Sequence, residues 1–415
     1  MSEQERRSLA SLVDLVTDRT LTRKDMSKAY VGLEHIPSSG SALMQFGSAQ
    51  DSVSTNGIFR EGDILFGKLR PRLRKSVRVR MSGYCSTDVL VLRPRPDVDH
   101  AFAGYVAQSD AVFMRAIQTE EGTKMPRCSW KDLKAVKVFV PMDAGVQQGI
   151  AAILSNVDEA IERTDALIEK HQRIKTGLMH DLFTRGVLAS GELRPTRAAE
   201  PELYREQSGS WFPTVWQFER LDDLALRGSG HTPNKEVAEY WNGGVKWVSL
   251  ADSNRLDALY ISDTELTISH RGIQNSSAVL HPAGIVVLSR DAGVGKSAIT
   301  TEPMAVSQHF MCWKCDQRLD NHFLYYWLQF QKRTFENIAM GSTILTIGLP
   351  YFKKLRIACP VDLEEQRLIA ARLKAADESL FALQRRLSKL RAQKLGLIQD
   401  LLTGHVSVSP AAVAI

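Results

Sequence analysis

Residues 147–187 read QQGIAAILSNVDEAIERTDALIEKHQRIKTGLMHDLFTRGV, and residues 366–406 read QRLIAARLKAADESLFALQRRLSKLRAQKLGLIQDLLTGHV. A constant offset of 219 residues superimposes the two copies without a gap, and fifteen of the 41 positions are identical. Chance would match roughly one position in twenty, so the chain carries an internal duplication. The shared positions include Ile150/Ile369, Leu154/Leu373, Asp158/Asp377, Lys175/Lys394, Gly177/Gly396, Asp181/Asp400 and Thr184/Thr403.

Within each copy the apolar residues recur in alternating steps of four and three, the a/d seam of a heptad helix. The first seam runs through Ile150, Leu154, Val157, Ile161, Ile168, Leu178 and Leu182, interrupted by Thr164, His171 and Lys175. The second runs through Ile369, Leu373, Ala376, Leu380, Leu383, Leu387, Leu390, Leu397 and Leu401, with Lys394 among them. Each copy therefore predicts one long helix, and the two are expected to pair antiparallel as a coiled coil, in a pseudo-two-fold arrangement. At about 1.5 Å per residue, some 38 residues make a rod of roughly 57 Å. Asp143 and Asp362 follow Pro141 and Pro360 as candidate N-caps. Glu365 completes a capping box with Asp362, whereas Val146 leaves the first helix without one. Gly177 and Gly396 each cost about 1 kcal/mol against alanine in a helix. They mark a kink or fraying end, or the close approach of another helix.

Outward from these helices the chain divides into a globular domain at 1–140, a helical segment at 141–187, a linker at 188–212, a second domain at 213–359, a second helical segment at 360–406 and a tail at 407–415. Both domains read as mixed α/β. Strand-like runs include Asp63 to Phe66 and Asp88 to Leu92 in the first, and Val245 to Leu250 and Ala283 to Leu288 in the second. Helical spacing covers Ala101 to Gln118 and Asp320 to Thr334. Leu221-Asp-Asp-Leu224 echoes Leu12-Val-Asp-Leu15, and Gly341 lies 219 residues beyond Gly122. The frame is repeated while the domain interiors have diverged.

A chain of 415 residues exceeds one core. Its net charge of +6 and pI near 9.0 are compatible with a nucleic-acid partner. No apolar run of 18 residues occurs, which predicts a cytoplasmic protein with no membrane partner. Five cysteines predict free thiols.

The most basic stretch is Arg60 to Arg80, REGDILFGKLRPRLRKSVRVR. A strand delivers the chain into a loop bearing Lys68, Arg70, Arg72, Arg74 and Lys75. Arginine forks suit phosphate oxygens and the O6/N7 edge of guanine; the alternative is a solvated charged face. At the matching place the second domain has Ser289, Arg290 and Lys296, and Lys75-Ser76 coincides with Lys296-Ser297 at an offset of 221. A strand leading into a cationic loop at the same site in both halves favours DNA contact. Gly295-Lys296-Ser297 imitates a P-loop end, but the pattern needs glycine where Arg290 stands. Cys312-Trp-Lys-Cys315 imitates a zinc knuckle. On a strand, however, residues three apart face opposite ways, so no metal site is expected. No GxSxG, HExxH, methyltransferase or dinucleotide-binding motif occurs, and no catalytic residue is assigned.

The order of these features resembles the DNA-specificity subunit of type I restriction-modification systems over nearly the whole length. The resemblance rests on Tyr30-Val-Gly-Leu-Glu-His-Ile36, Gly62-Asp-Ile-Leu-Phe-Gly-Lys-Leu-Arg-Pro71, Gly230-His-Thr-Pro233, Tyr240-Trp241, Lys246-Trp-Val-Ser249 and Leu288-Ser-Arg followed by Val294-Gly-Lys296. It rests also on the repeated Gly-Leu-x-x-Asp-Leu-x-Thr at 177–184 and 396–403. Asp143-Ala-Gly-Val146 departs from the family's usual Glu-Gln pair, which Glu365-Gln366 keeps. The resemblance implies two target-recognition domains reading a bipartite, asymmetric double-stranded DNA target, with the helices as spacer. It also implies two DNA methyltransferase subunits and two restriction (motor-nuclease) subunits as partners, which carry S-adenosylmethionine, ATP and Mg²⁺; this chain is expected to hold no cofactor and to be no enzyme. Two rivals stand beside it: an orphan DNA-binding scaffold without methyltransferase partners, and an NTPase using the loop at 295–297.

Overall fold

The computed structural model describes residues 4–21, 28–38, 43, 45–52, 54–341 and 345–408. Of the expected tail at 407–415, Ser407 and Val408 fall among them. Two compact units emerge: Met1–Lys170 with Phe381–Ile415, and His171–Leu380. Each includes part of both long helices, so the compact bodies are not the sequential halves.

In the first unit, a four-stranded sheet has the order Val13–Val16, Val89–Pro94, Ile64–Gly67, Ser76–Arg78, all neighbours antiparallel. A five-stranded sheet contains Arg19–Leu21, Thr55–Phe59, Gly83–Cys85, Ala29–Val31 and Gly47–Ser48 in that order, with one parallel pair. Ile64–Gly67 is buried throughout, which is why it reads as an unbroken apolar run rather than an alternating one. Its faces serve two cores. Ile64 and Phe66 pack with Phe102, Phe113, Ile150 and Leu154, while Leu65 packs with Val31, Phe59, Val77 and Cys85. The single helix expected over 101–118 is two, His100–Ala107 and Asp110–Gln118, with Ser109 as the N-cap residue of the second. Phe113 stacks on Phe66 with centroids 5.0 Å apart.

The second unit repeats the plan with different contents. One sheet has the order Ala225–Ser229, Phe310–Cys315, Val286–Ser289, Ser297–Thr300, Tyr260–Ile261. Another has Thr267–Ile268, Trp241–Val248, Met304–Val306, Leu280–His281. The helices Asn321–Phe330 and Lys332–Ile338 cover the first sheet's core. Each unit also closes with a two-stranded ribbon before its long helix: Gln4–Ser8 with Lys137–Pro141, and Trp216–Arg220 with Arg356–Pro360. Leu9 N–H donates to Val136 O at 2.9 Å and Leu221 N–H to Leu355 O at 2.8 Å. The equivalent segments are therefore Leu9-to-Leu12 and Leu221-to-Leu224. The sequence pairing with Leu12-to-Leu15 was displaced by three residues, because Leu-x-x-Leu occurs twice in succession there.

The long helices span Ala144–Thr184 and Leu363–Leu401. Asp143 and Asp362 each accept a bond from the backbone N–H two residues on, at 2.7 and 2.9 Å, and so cap both starts. Glu365 does not complete a capping box. Its carboxylate accepts from Arg194 Nη2 at 2.7 Å, Trp216 Nε1 at 3.0 Å and Val187 N–H at 3.1 Å. It thereby fastens the stretch expected to be a plain linker, which itself folds into the hairpin Tyr204–Gln207 with Ser210–Pro213. Gly186 makes the turn off the helix at φ 66°, where a Cβ would also strike Glu365, Arg194 and Trp216. The matching position in the first copy, Val146, is buried with Ile150 and Leu401.

Pairing of the helices is antiparallel inside each unit. In the first, Asp158 faces Lys394 at 2.7 Å and Asp165 faces Arg391 at 3.2 Å, so numbers rise along one helix as they fall along the other. In the second, Lys175 pairs with Asp377, and Leu182 shares a core with Ile369 and Leu373. The seam residues Ile150, Leu154, Ile161, Ile369, Leu373, Leu380 and Leu387 are all buried, and Leu178 and Leu397 pack against the cores of their units. Gly177 and Gly396 neither end their helices nor mark a close approach among the described residues. Both helices run unbroken through them, and a Cβ at either would meet nothing within 4 Å. Among the described residues, no helix is long and apolar enough to cross a membrane.

Candidate nucleic-acid interface

The cationic loop of the first domain leaves the strand Ile64–Gly67, makes a turn at Pro71–Leu73 and returns as Ser76–Arg78. Arg70 and Arg74, flanking the turn, both adopt left-handed backbone conformations (φ 50° and 51°). A second segment braces the loop from outside: Arg70 N–H donates to Pro126 O at 2.7 Å and Cys128 N–H to Lys68 O at 3.0 Å. The side chains sort into two groups. Arg70 is exposed, Lys68 is half-buried, and among the described residues neither has a carboxylate in ion-pair range. Arg72, 72% exposed, pairs with Glu120 at 2.8 Å. Arg74 and Lys75 turn inward. Arg74 pairs with Asp110 and lies 4.9 Å above the Phe113 ring, while Lys75 Nζ donates to Leu33 O at 2.7 Å.

The second domain builds the same loop from Val286–Ser289 to Ser297–Thr300. Arg290 N–H donates to His309 O at 3.0 Å and Ile347 N–H to Arg290 O at 3.0 Å, matching the bracing of Lys68. Lys296 Nζ donates to Ser253 O at 2.8 Å and Ser253 Oγ at 3.1 Å. Lys75 and Lys296 therefore share a structural task, tying their loops to a neighbouring turn. The coincidence that pointed to DNA contact at these two lysines is explained by folding. Ser289 is 2% exposed and its hydroxyl donates to Asp291 O at 2.7 Å, so it shapes the loop from inside. Arg290 is mostly covered and approaches Asp291 at 3.5 Å.

Sequence reasoning missed a polar row beside this loop. The His309 ring lies with Nδ1 2.7 Å from Asp291 Oδ2, Thr346 donates to Asp291, and Gln308 lies 3.5 Å from His309 and accepts from Thr232. Burial pushes the Asp291 carboxyl up, but the bonds from Thr346 and His309 and the Arg290 charge outweigh it and hold the group below its ordinary value. The corresponding place in the first domain holds a different pair, Arg127 with Asp88 at 2.8 Å. None of these stands in the basic run at 60–80 from which the sequence reading of this surface starts.

The loop at 290–296 is no P-loop. Ser297 begins a strand, not a helix, and Lys296 is tied to Ser253, so no helix N-terminus faces the loop to receive phosphate. The two cysteine sulfurs also diverge. Cys312 lies in the core around Val287 and Phe310, and Cys315 against the core around Trp313. Burial pushes the Cys312 thiol up to about 12.

Two unlike domains thus share one repeated frame, each offering a braced polar loop at the same place. The description "Type I restriction modification DNA specificity domain" matches the chain twice, at residues 21–170 and 213–390, and the chain belongs to that family. It is similar to the type I restriction enzyme MjaVIII specificity subunit of Methanocaldococcus jannaschii, 25% identical over 333 residues that cover 78% of this chain and 74% of the relative. The MjaIX specificity subunit of the same organism is 27% identical over 179 residues, 42% of this chain and 41% of the relative; the chain thus spans less than half of that relative's length. The HindI specificity subunit of Haemophilus influenzae is 21% identical, covering 72% of this chain and 77% of the relative. In fold the chain resembles the type I restriction-modification S subunit from M. genitalium, with a TM-score of 0.59 at 16% identity over 97% of this chain and 96% of the other. It also resembles a chain of a solved type I R-M system, with a TM-score of 0.58 at 19% identity over 97% and 98%.

Proposed function

We propose that this chain reads a bipartite, asymmetric DNA sequence, one half-site per recognition domain, with the paired long helices as spacer. The observation that carries the reading is the repeated frame with unlike loops: beside equivalent strands, one domain carries Arg70, Arg72 and the Arg127–Asp88 pair, and the other the Gln308–His309–Asp291 row. Identical readers would favour a palindrome, and different readers favour two different half-sites. In this reading Lys68, Arg70 and Arg72 meet phosphates or guanine edges, supported by the exposure of Arg70 and Arg72, and Arg290 with its polar neighbours does so in the second domain. The chain acts without catalysis and without a cofactor, in the cytoplasm. It scaffolds two methyltransferase subunits and two motor-nuclease subunits, on which S-adenosylmethionine, ATP and Mg²⁺ reside, and the target base leaves the duplex to reach a partner's site. Co-expression with the methyltransferase subunit, followed by methylation-sensitive sequencing of host DNA, tests this directly. A methylated motif of two unlike half-sites separated by a fixed gap is expected; a continuous or palindromic motif would refute it.

A further inference from the structure

Each unit contains a Tyr–Asp–Lys cluster joining a recognition domain to both long helices. In the first unit the Tyr105 hydroxyl, on the helix His100–Ala107, donates to Asp158 Oδ2 at 2.8 Å on one long helix. Lys394 Nζ, from the other long helix, lies 2.7 Å from Asp158 Oδ1 and 5.6 Å above the Tyr105 ring. In the second unit the Tyr326 hydroxyl, on the helix Asn321–Phe330, donates to Asp377 Oδ2 at 3.0 Å. Lys175 pairs with that carboxylate and lies 5.9 Å above the Tyr326 ring. The roles are exchanged between the copies: the aspartate of each meets the lysine of the other.

Both lysines occupy seam positions, where the heptad asks for an apolar side chain. Lys394 is 2% exposed and Asp158 is 7% exposed. A polar group in such a seam sacrifices stability and specifies register, because any other alignment buries the charge without its partner. A slip of one helical turn moves the partners by about 5.4 Å. The tyrosine adds a second constraint, since the carboxylate that fixes the helix register also holds the recognition domain. Gln147 and Gln366 reinforce this mounting. Each accepts from the N-cap residue of its domain helix, Asp99 N–H at 3.3 Å and Asp320 N–H at 2.8 Å.

We propose that the two Tyr–Asp–Lys clusters are positioning clasps that hold each recognition domain at one axial place on the helix pair and so make the chain strict about the spacing of its DNA half-sites. The proposal rests on the bipartite reading above. A slip of about 5.4 Å is about 1.6 base pairs at roughly 3.4 Å each, so a loosened clasp shows itself as acceptance of neighbouring spacings.

The test is selection of bound duplexes from a random-sequence library by the full chain assembled with its methyltransferase subunits. The parent is compared with Lys175→Met/Lys394→Met and with the milder Tyr105→Phe/Tyr326→Phe. The parent is expected to return one spacing. The lysine variant should return the same half-sites with neighbouring spacings enriched at least tenfold, and the tyrosine variant should show a smaller enrichment in the same direction. Lys175→Arg/Lys394→Arg, which keeps the charge, should restore strictness. A clasp that merely stabilises would lower the melting temperature and leave the spacing distribution unchanged, and that outcome overturns the proposal. If the lysine variant does not assemble, the tyrosine variant decides by the same criterion. A parent that returns a continuous or palindromic motif removes the bipartite reading and the clasps with it; a parent that already accepts several spacings, or a strict parent with equally strict variants, removes the clasps alone.

Discussion

Replacing Arg70 and Arg72 together with alanine removes two cations and the Arg72–Glu120 pair while leaving the loop's backbone bracing and the Lys75 tie intact. Arg70 is exposed with no acid partner in range among the described residues, and Arg72, itself largely exposed, pairs with Glu120, whose side chain is mostly covered, so losing that partner costs about 1–3 kcal/mol. The bracing bonds of the loop run through backbone atoms and through Lys75, so the fold should survive. If each arginine neutralises one phosphate, the slope of log K against log salt should become shallower by roughly 1.8. At about 0.15 M salt the same relation gives a loss of roughly 30-fold, or about 2 kcal/mol. Fluorescence anisotropy on a labelled duplex across a potassium chloride series measures both quantities. Lys75→Met is the contrasting variant: with its ammonium on Leu33 O, it should lower the melting temperature and leave the salt slope unchanged. A double arginine variant with the parent's slope, or a Lys75 variant that alone flattens it, would refute the division of this loop into outward and inward cations.

Two further outcomes concern stability. Gly177→Ala and Gly396→Ala should each stabilise the chain by up to about 1 kcal/mol in thermal or denaturant unfolding, since each site is exposed, helical and open to a Cβ; a loss would mean that a neighbour crowds these positions after all. Alkaline pH should destabilise the protein. Burial pushes Cys85 and Cys312 up to about 12 and Cys128 and Cys359 up to about 11, against an ordinary value of 9.0. The unfolded chain therefore releases these protons first, and the stabilisation present below about pH 9 is lost as pH rises toward 11–12, by roughly 1 kcal/mol per thiol for each unit. Denaturation midpoints at pH 8 and pH 10, under reducing conditions, measure this, and equal midpoints would contradict it.

The amino-acid sequence by itself determined the duplication, the two long helices and their seam, because heptad periodicity is a local property and every seam residue keeps its meaning wherever the chain goes. It also determined the mixed α/β class and the exclusion of a zinc knuckle, since strand geometry alone separates Cys312 from Cys315. Only the tertiary structure could sort the cations. Lys68 and Lys75 look alike in a basic run, and what distinguishes them is whether a carbonyl from a distant turn, here Leu33, waits for the ammonium. The same holds for Glu365, whose partner Arg194 lies 171 residues away, and for Asp158 and Lys394, whose identity in both copies was visible but whose meeting with Tyr105 was not. Hydrogen bonds between residues remote in sequence leave no periodic trace, so a chain read in one dimension shows which residues are repeated and not which of them touch.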